Sequence, residues 1–379
     1  MIVGVATETV PGERRVALVP ELLSKLTAAG LEIHIQFGAG VEAGFENKDY
    51  EEKGAGLASD VLPTADILLK VRPPAASEII QLREGSVLIG LLEPYTSEAQ
   101  IKLLSARKVT SFAMDLMPRI ARAQSMDALS AMATVAGYKA VLLAANRLSK
   151  FFPLLMTAAG TITPARVFVV GAGVAGLEAI GTAKRLGAVV EAYDTRPAVK
   201  EEVQSVGAKF VEMGLETKDA EEKGGYARAE SPEFYKKQRE MMFEHVAAAD
   251  VVITAALVRG RHAPVLITEE MVRGMRPGSV IVDLASPQGG NCALTEADHE
   301  VVRHGVVILG PTNLPSTMPF HASQLYARTV VNFLMHILHD GKVRLDRNDE
   351  LIRATLVTDQ GEMVNESLKA AFAVDTRAS

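Results

Sequence analysis

Three glycines, Gly171, Gly173 and Gly176, stand at G-x-G-x-x-G spacing in RVFVVGAGVAGLEAIGTAKRLGAVVEAYD, between a run of strand-forming residues and a helical pattern. That arrangement suits an anion carried on a nucleotide. The first glycine permits a tight turn, the second lets a pyrophosphate approach the backbone, and the third allows a helix to pack closely on a strand. The free N–H groups at the start of that helix then face the phosphates. Asp194 ends the following strand pattern, 18 positions beyond Gly176. A carboxylate there can accept hydrogen bonds from both hydroxyls of an adenosine ribose. It would repel a 2′-phosphate, so the constellation favours NAD(H), with Arg196 two residues on as a counter-indication.

A second group of chemically capable residues lies in PRIARAQSMDALS, positions 118 to 130. Arg119, Gln124, Asp127 and Ser130 crowd the approach to an apparent helix, and no obvious acid/base catalyst stands nearby. A local reading accounts for part of it: Ser125 could cap the helix and Asp127 could favour its positive end. Tyr138, farther along the same helix, is expected as an interior anchor. His262 and His321 have no metal-ligand spacing, and no metal is expected.

The elements that must position these residues form two sets. Short β-rich runs at 2 to 6, 32 to 36, 66 to 70, 86 to 90 and 109 to 113 alternate with helical patterns such as PELLSKLTAAG, which Pro20 opens and Gly30 closes. A long helical pattern follows from 126 to 150. Strand patterns then resume at 166 to 170, 189 to 194, 209 to 213, 250 to 256, 279 to 285 and 305 to 310. The fold class expected is α/β, with two Rossmann-like, doubly wound parallel-sheet domains joined by long helices. The first domain takes residues 1–130 plus 325–379, because a helical run at 323 to 341 and a hairpin pattern around Asp359-Gln360-Gly361 return the chain to it. The second takes 131–324. The connection from about 214 to 249, charged and holding Gly225 and Tyr226, is long enough for a mobile lid or a plain solvated insertion.

Composition narrows the function classes. The 379 residues are 48% hydrophobic and 23% charged, with a net charge of −6 and acidic and basic residues interspersed. Disorder is excluded, and no broad positive field for nucleic acid exists. Cys292 is the single cysteine, so no internal disulfide forms; a small buried side chain is expected there. The most apolar stretch, 131 to 145, contains Lys139 and falls short of the roughly 18 to 20 apolar residues that span a bilayer.

The opening motif, the glycine fingerprint, GGYA (224 to 227), APVLITEEMV (263 to 272), PGSVIVDLA (277 to 285) and GGNC (289 to 292) occur in order along the whole chain. In these the sequence resembles the NAD(H)-binding first domain of the proton-translocating NAD(P) transhydrogenases, a family homologous to alanine dehydrogenases. The resemblance implies that Val174 and Ala175 belong to the pyrophosphate turn and that Asp194, Thr195 and Arg196 hold the adenosine ribose. It places Leu257 beside the cofactor and Gly225, Tyr226 and Gln238 on or after a loop that closes over NAD(H). It also implies that Arg119, Gln124, Asp127 and Ser130 hold the nicotinamide in register with its partner. Hydride passes directly between two nicotinamides without changing a protonation state, so positioning and exclusion of water replace a general base.

The same resemblance implies a homodimer, NADP(H) bound on a partner domain or subunit, and a membrane-embedded, proton-conducting subunit. The chain carries no membrane helices of its own, as in the split type, and is expected to be cytoplasmic and peripheral on the cytoplasmic face of the inner membrane. Alanine dehydrogenases place a histidine where this chain has Glu93 and an aspartate where it has Pro287, although Lys70 and Arg15 resemble their substrate-binding pair. A self-sufficient amino-acid dehydrogenase using Lys70, Arg15 and Glu93 is the alternative. An NAD(H)-binding redox sensor is a third, non-enzymatic reading.

Overall fold

The computed structural model describes residues 1–212, 232–257 and 262–375. The chain divides into two compact units, Met1–Met132 with Pro315–Ser379, and Ala133–Leu314. Sequence patterning places the crossings at 130/131 and 324/325. The second lies ten residues earlier, at 314/315, and the helix Pro319–Ile337, opened by a proline at its start, begins four residues before the expected 323.

In the first unit, strands β1 (Ile2–Val5), β2 (Glu32–Gln36), β3 (Gly56–Ala58), β4 (Ile67–Leu69), β5 (Val87–Gly90) and β6 (Thr110–Ala113) are all parallel and lie in the order 3-2-1-4-5-6. Two antiparallel strands from the C-terminal tail, Leu356–Asp359 and Glu362–Met363, extend the sheet beyond β6, as the hairpin pattern predicts. Sequence patterning does not anticipate β3. Its three residues are half-buried or exposed, so no hydrophobic alternation marks it. PELLSKLTAAG forms a 3-10 turn, Pro20–Leu22, and a helix, Leu23–Ala28, and Gly30 leaves it at φ +79°.

The second unit opens with a hairpin of β7 (Leu155–Thr157) and β8 (Gly160–Ile162). Its main sheet contains β9 (Arg166–Val170), β10 (Val189–Tyr193), β11 (Lys209–Phe210), β12 (Val251–Thr254), β13 (Val280–Asp283), β14 (Glu300–Arg303) and β15 (Val306–Leu309). The order is 11-10-9-12-13-15-14, which repeats the Rossmann order of the first unit with β14 added antiparallel at the edge. The six strand patterns of the sequence omit β14, whose Glu300 and Arg303 face water. In β9 the side chains alternate between two cores: Val167 and Val169 pack on one face of the sheet, Phe168 and Val170 on the other. Both faces are therefore covered, as a parallel sheet requires.

Two expectations are corrected. The connection at 214 to 249 is not one long loop, because Pro232–Ala248 is a helix of 17 residues; GGYA, with Gly225 and Tyr226, lies outside the described residues. The helix Ala128–Arg147 has 20 residues and is, by length and composition, long and apolar enough to cross a membrane. Ala140, Val141 and Ala144 on it are fully buried in the second unit, while 39% of its apolar window is buried in all.

Candidate dinucleotide site

The glycine turn joins the carboxyl end of β9 to the helix Val174–Arg185. Gly171 adopts φ +92°, and a Cβ there would meet the Ala255 carbonyl carbon at 2.8 Å. At Gly176 a Cβ would lie 1.9 Å from the Gly171 carbonyl oxygen, so any side chain would force the helix off the strand. Gly173 differs: the nearest atom to a Cβ there is an Arg196 guanidinium nitrogen at 3.8 Å. Its bare backbone therefore faces open space, and it precedes Val174 and Ala175, whose N–H groups open the helix. That combination is a cradle for phosphate oxygens.

The end of β10 is tied to the same turn. The Gly171 N–H donates to the Tyr193 carbonyl at 2.8 Å, and the Ala172 N–H donates to Asp194 Oδ2 at 2.8 Å. Asp194 is buried, while Thr195 and Arg196 are half-buried. Arg196 closes on the carboxylate with its own N–H and Nε on Oδ1, each at 2.9 Å, and Nη2 on Oδ2 at 2.8 Å.

Gln238 lies on the helix Pro232–Ala248 and is 1% exposed. Its Nε2 donates to the Tyr193 hydroxyl at 3.1 Å, which brings it to the β10 end beside Asp194. Its Oε1 is buried without a hydrogen-bond partner among the described residues, and a lone desolvated carbonyl oxygen is costly. An adenine amino group is a donor of the kind it lacks. Leu257, which follows β12, is half-buried. Asn291, fully buried, fixes the segment before it by accepting from the Ala256 N–H at 3.0 Å and donating to the Ala256 and Pro264 carbonyls at 2.9 Å. The residues present thus fit a dinucleotide: bare backbone for phosphate, a carboxylate for ribose, an unmatched acceptor for adenine.

The GGNC segment has a structural account. Asp283, buried at the end of β13, accepts from Thr254 and Thr295 hydroxyls and from the N–H groups of Ala285 and Cys292. Gly289 and Gly290, at φ +97° and +84°, make the turn that allows this. Cys292 is buried, and burial pushes its thiol up to about 11.

In the first unit, Ala121–Met126 forms a 3-10 segment carrying Gln124, an exposed residue, with Arg119 half-buried just before it. Asp127, not Ser125, caps the helix Ala128–Arg147: its Oδ1 accepts the Ser130 N–H at 2.9 Å and its Oδ2 the Ser130 hydroxyl at 2.6 Å. The stretch is braced from the far end of the chain. Asn332 donates to the Ser125 carbonyl at 2.9 Å, and Arg122 forks onto Asp349 at 3.0 and 3.2 Å. Sequence reasoning misses both braces, since nothing local pairs position 122 with 349. Tyr138, expected as an interior anchor, is more than a third exposed.

The residues resembling an amino-acid site are occupied by their own neighbours. Arg15 sends Nε and Nη2 to Glu13 at 2.7 and 2.6 Å, with both side chains buried. Lys70 Nζ lies 2.7 Å from Glu78 and 3.6 Å from Glu8. Burial outweighs the nearby Lys70 charge and raises Glu8 to about 6. Glu93 sits at φ +46° and pairs with Arg72, and the Leu92 N–H donates to Asp115 at 2.8 Å. Burial raises Asp115 to about 6 against the pull of that N–H, and the Glu93 charge adds to the rise. Pro287 lies in a 3-10 turn, Ser286–Gln288, and offers no titratable group.

Two mainly parallel sheets of Rossmann order, one with a glycine turn and a strand-end carboxylate that suit a dinucleotide, define a two-domain, Rossmann-like oxidoreductase fold. The chain belongs to the alanine dehydrogenase/PNT family: the N-terminal domain model matches residues 4–136 and the C-terminal domain model residues 140–366. It is 46% identical to the first part of NAD(P) transhydrogenase subunit alpha of Rhodospirillum rubrum, over 97% of this chain and 99% of that protein. A crystal structure of transhydrogenase from Sinorhizobium meliloti matches with a TM-score of 0.85 and 42% identity, covering 97% of this chain and all of that one. Alanine dehydrogenase of Bacillus subtilis is more distant, at 29% identity over 97% of this chain and 94% of that protein.

Proposed function

We propose that the chain is the NAD(H)-binding subunit of a proton-translocating transhydrogenase, passing hydride directly between NAD(H) and NADP(H) bound on a partner subunit. The observation that carries this reading is the contrast between its chemical groups. The nucleotide turn is complete, while Arg15, Lys70 and Glu93 are each spent on ion pairs within the chain and Pro287 cannot titrate. Amino-acid oxidation needs proton transfer during imine formation and hydrolysis. Hydride exchange between nicotinamides does not. When bound, the nicotinamide supplies the hydride chemistry; the chain's role is to bind, orient and keep water out.

In this reading Arg119, Gln124, Asp127 and Ser130 hold the nicotinamide, and the glycine turn with Val174 and Ala175 holds the pyrophosphate. Asp194, Thr195 and Arg196 serve the adenosine ribose, Leu257 lies beside the cofactor, and Gly225, Tyr226 and Gln238 belong to the segment that closes over NAD(H). The subunit is a homodimer that docks an NADP(H)-binding domain and a membrane-embedded proton-conducting subunit, and it resides in the cytoplasm on the cytoplasmic face of the inner membrane. The β7–β8 hairpin supports self-association, because Leu154 and Met156 present apolar side chains to solvent, Met156 at 80% exposure. The test is direct: the purified chain binds NADH, leaves NAD⁺ unreduced with alanine, and turns over NADPH and an NAD⁺ analogue once the NADP(H)-binding domain is added. Alanine-dependent NAD⁺ reduction would overturn the reading.

A further inference from the structure

We propose that Asn332 and Lys25 are positioning residues for hydride transfer: they fix the Gln124–Ser125 stretch from outside its own segment, while Arg122 on Asp349 anchors the segment's other end. This rests on the reading of Gln124 as a group that aligns the nicotinamide. The segment Ala121–Met126 is poorly held by its own backbone. It is a 3-10 turn in which only Ala123 and Met126 are buried, and the bond from the Asp127 N–H to the Gln124 carbonyl is stretched to 3.4 Å. The neighbouring Ser125 carbonyl accepts from Asn332 Nδ2 at 2.9 Å, a side chain of the helix Pro319–Ile337.

A charge sets which way that amide faces. Lys25, on the helix Leu23–Ala28, donates to Asn332 Oδ1 at 2.8 Å, and an ammonium has three donors and no acceptor, so only the amide oxygen can meet it. Nδ2 is thereby aimed at Ser125. At the other end Arg122 forks onto Asp349, which also accepts the Leu351 N–H at 2.7 Å and lies 3.2 Å from His336 Nε2. Burial alone would raise the Asp349 carboxyl, but the Arg122 bonds, the backbone N–H groups and the His336 ring together hold it below the usual carboxylate range. It stays ionised and keeps both arms of the fork. All of these groups belong to the first unit, whereas the glycine turn and Asp194 belong to the second. A misplacement of about 1 Å can cost a reaction about a hundredfold. Loosening the tether should therefore slow transfer and leave the grip on the nucleotide nearly intact.

The experiment is single-turnover reduction of an NAD⁺ analogue on the full chain by NADPH on the NADP(H)-binding domain, run beside calorimetric titration with NADH. Asn332→Asp keeps the shape of the side chain and its Lys25 contact but shows Ser125 an acceptor in place of a donor. Transfer should slow at least about tenfold, with NADH affinity changed by less than about twofold. Lys25→Met frees the amide to turn and should slow transfer at least about threefold, the worth of one hydrogen bond. Lys25→Arg, another pure donor, should restore the native rate. Lys25 is exposed, so its two variants make the measurement if the Asn332→Asp chain does not fold. A native rate in Asn332→Asp or Lys25→Met, or a slowing matched by an equal loss of NADH affinity, overturns the inference while native transfer continues. A native chain that exchanges no hydride with the partner domain would sink the transhydrogenase reading and the inference with it.

Discussion

Gly137, in the middle of the helix Ala128–Arg147, meets the carbonyl oxygen of Ala175 so closely that a Cβ on it would lie 2.1 Å from that oxygen. A glycine inside a helix costs about 0.5–1 kcal/mol relative to alanine, so its retention here answers to packing. The contact sets how the helix Val174–Arg185 seats on its neighbour. Gly137→Ala should therefore destabilise the fold by about 1–3 kcal/mol, as overpacking does, and weaken NADH binding several-fold. Denaturant midpoints and a fluorescence titration measure both. A more stable variant with unchanged affinity, the usual result at an exposed helical glycine, would mean the contact does not position the turn.

Gln124→Asn keeps the amide and moves it back by one methylene. Hydride transfer to or from a partner-bound nucleotide should slow by at least about tenfold, roughly 1.4 kcal/mol of barrier, with NADH affinity nearly unchanged. Single-turnover kinetics with the NADP(H)-binding domain separates the two. A large affinity loss with normal transfer would show that the loop binds rather than aligns.

Asp115 gives the first unit a pH dependence of definite sign. Its carboxyl is raised from 3.8 to about 6 by burial, so between those values the folded chain holds a proton that the unfolded chain releases. The associated stability is fully present below the unfolded value and is lost as pH rises through about 6, an effect on the order of 3 kcal/mol. Asp115→Asn still accepts the Leu92 N–H but cannot ionise. Urea unfolding at pH 5 and pH 7.5 should show a smaller drop in the variant than in the native chain. An equal drop would place the titration elsewhere.

Met156→Asp puts a charge on the exposed β7–β8 hairpin. Buried against a second copy, that charge would lack a partner, so sedimentation should find a dimer for the native chain and a monomer for the variant, with folding and NADH binding retained in the monomer. A dimer of undiminished affinity would exclude the hairpin from the interface.

The parallel sheets are legible in the sequence because their strands are short apolar runs set between turn residues; Glu32–Gln36 and Arg166–Val170 match the expected bounds in full. Edges are not. Gly56–Ala58 and Glu300–Arg303 are half-buried or exposed throughout, so burial leaves no pattern in them. Within the nucleotide site the glycines and Asp194 can be read from spacing. The fork of Arg196 onto Asp194, the unmatched Gln238 carbonyl and the Asn291 clamp cannot, because each depends on side chains meeting in three dimensions. Gly137 does leave a trace, a helix-breaking residue in an otherwise strong helical stretch, which is a signal of close approach. Ser125 as the cap misses by two positions because a 3-10 segment, with its own geometry, precedes the helix.

In the proposed function hydride moves straight from one nicotinamide to the other without passing through solvent or a protein acid. Mixing the chain, loaded with an NAD⁺ analogue, with an NADP(H)-binding domain carrying NADPH deuterated at the transferred position tests it most directly. The account predicts a reduced analogue carrying essentially all of the deuterium, even in ordinary water. Loss of the label to solvent, or reduction that proceeds without the NADP(H)-binding domain, would contradict it.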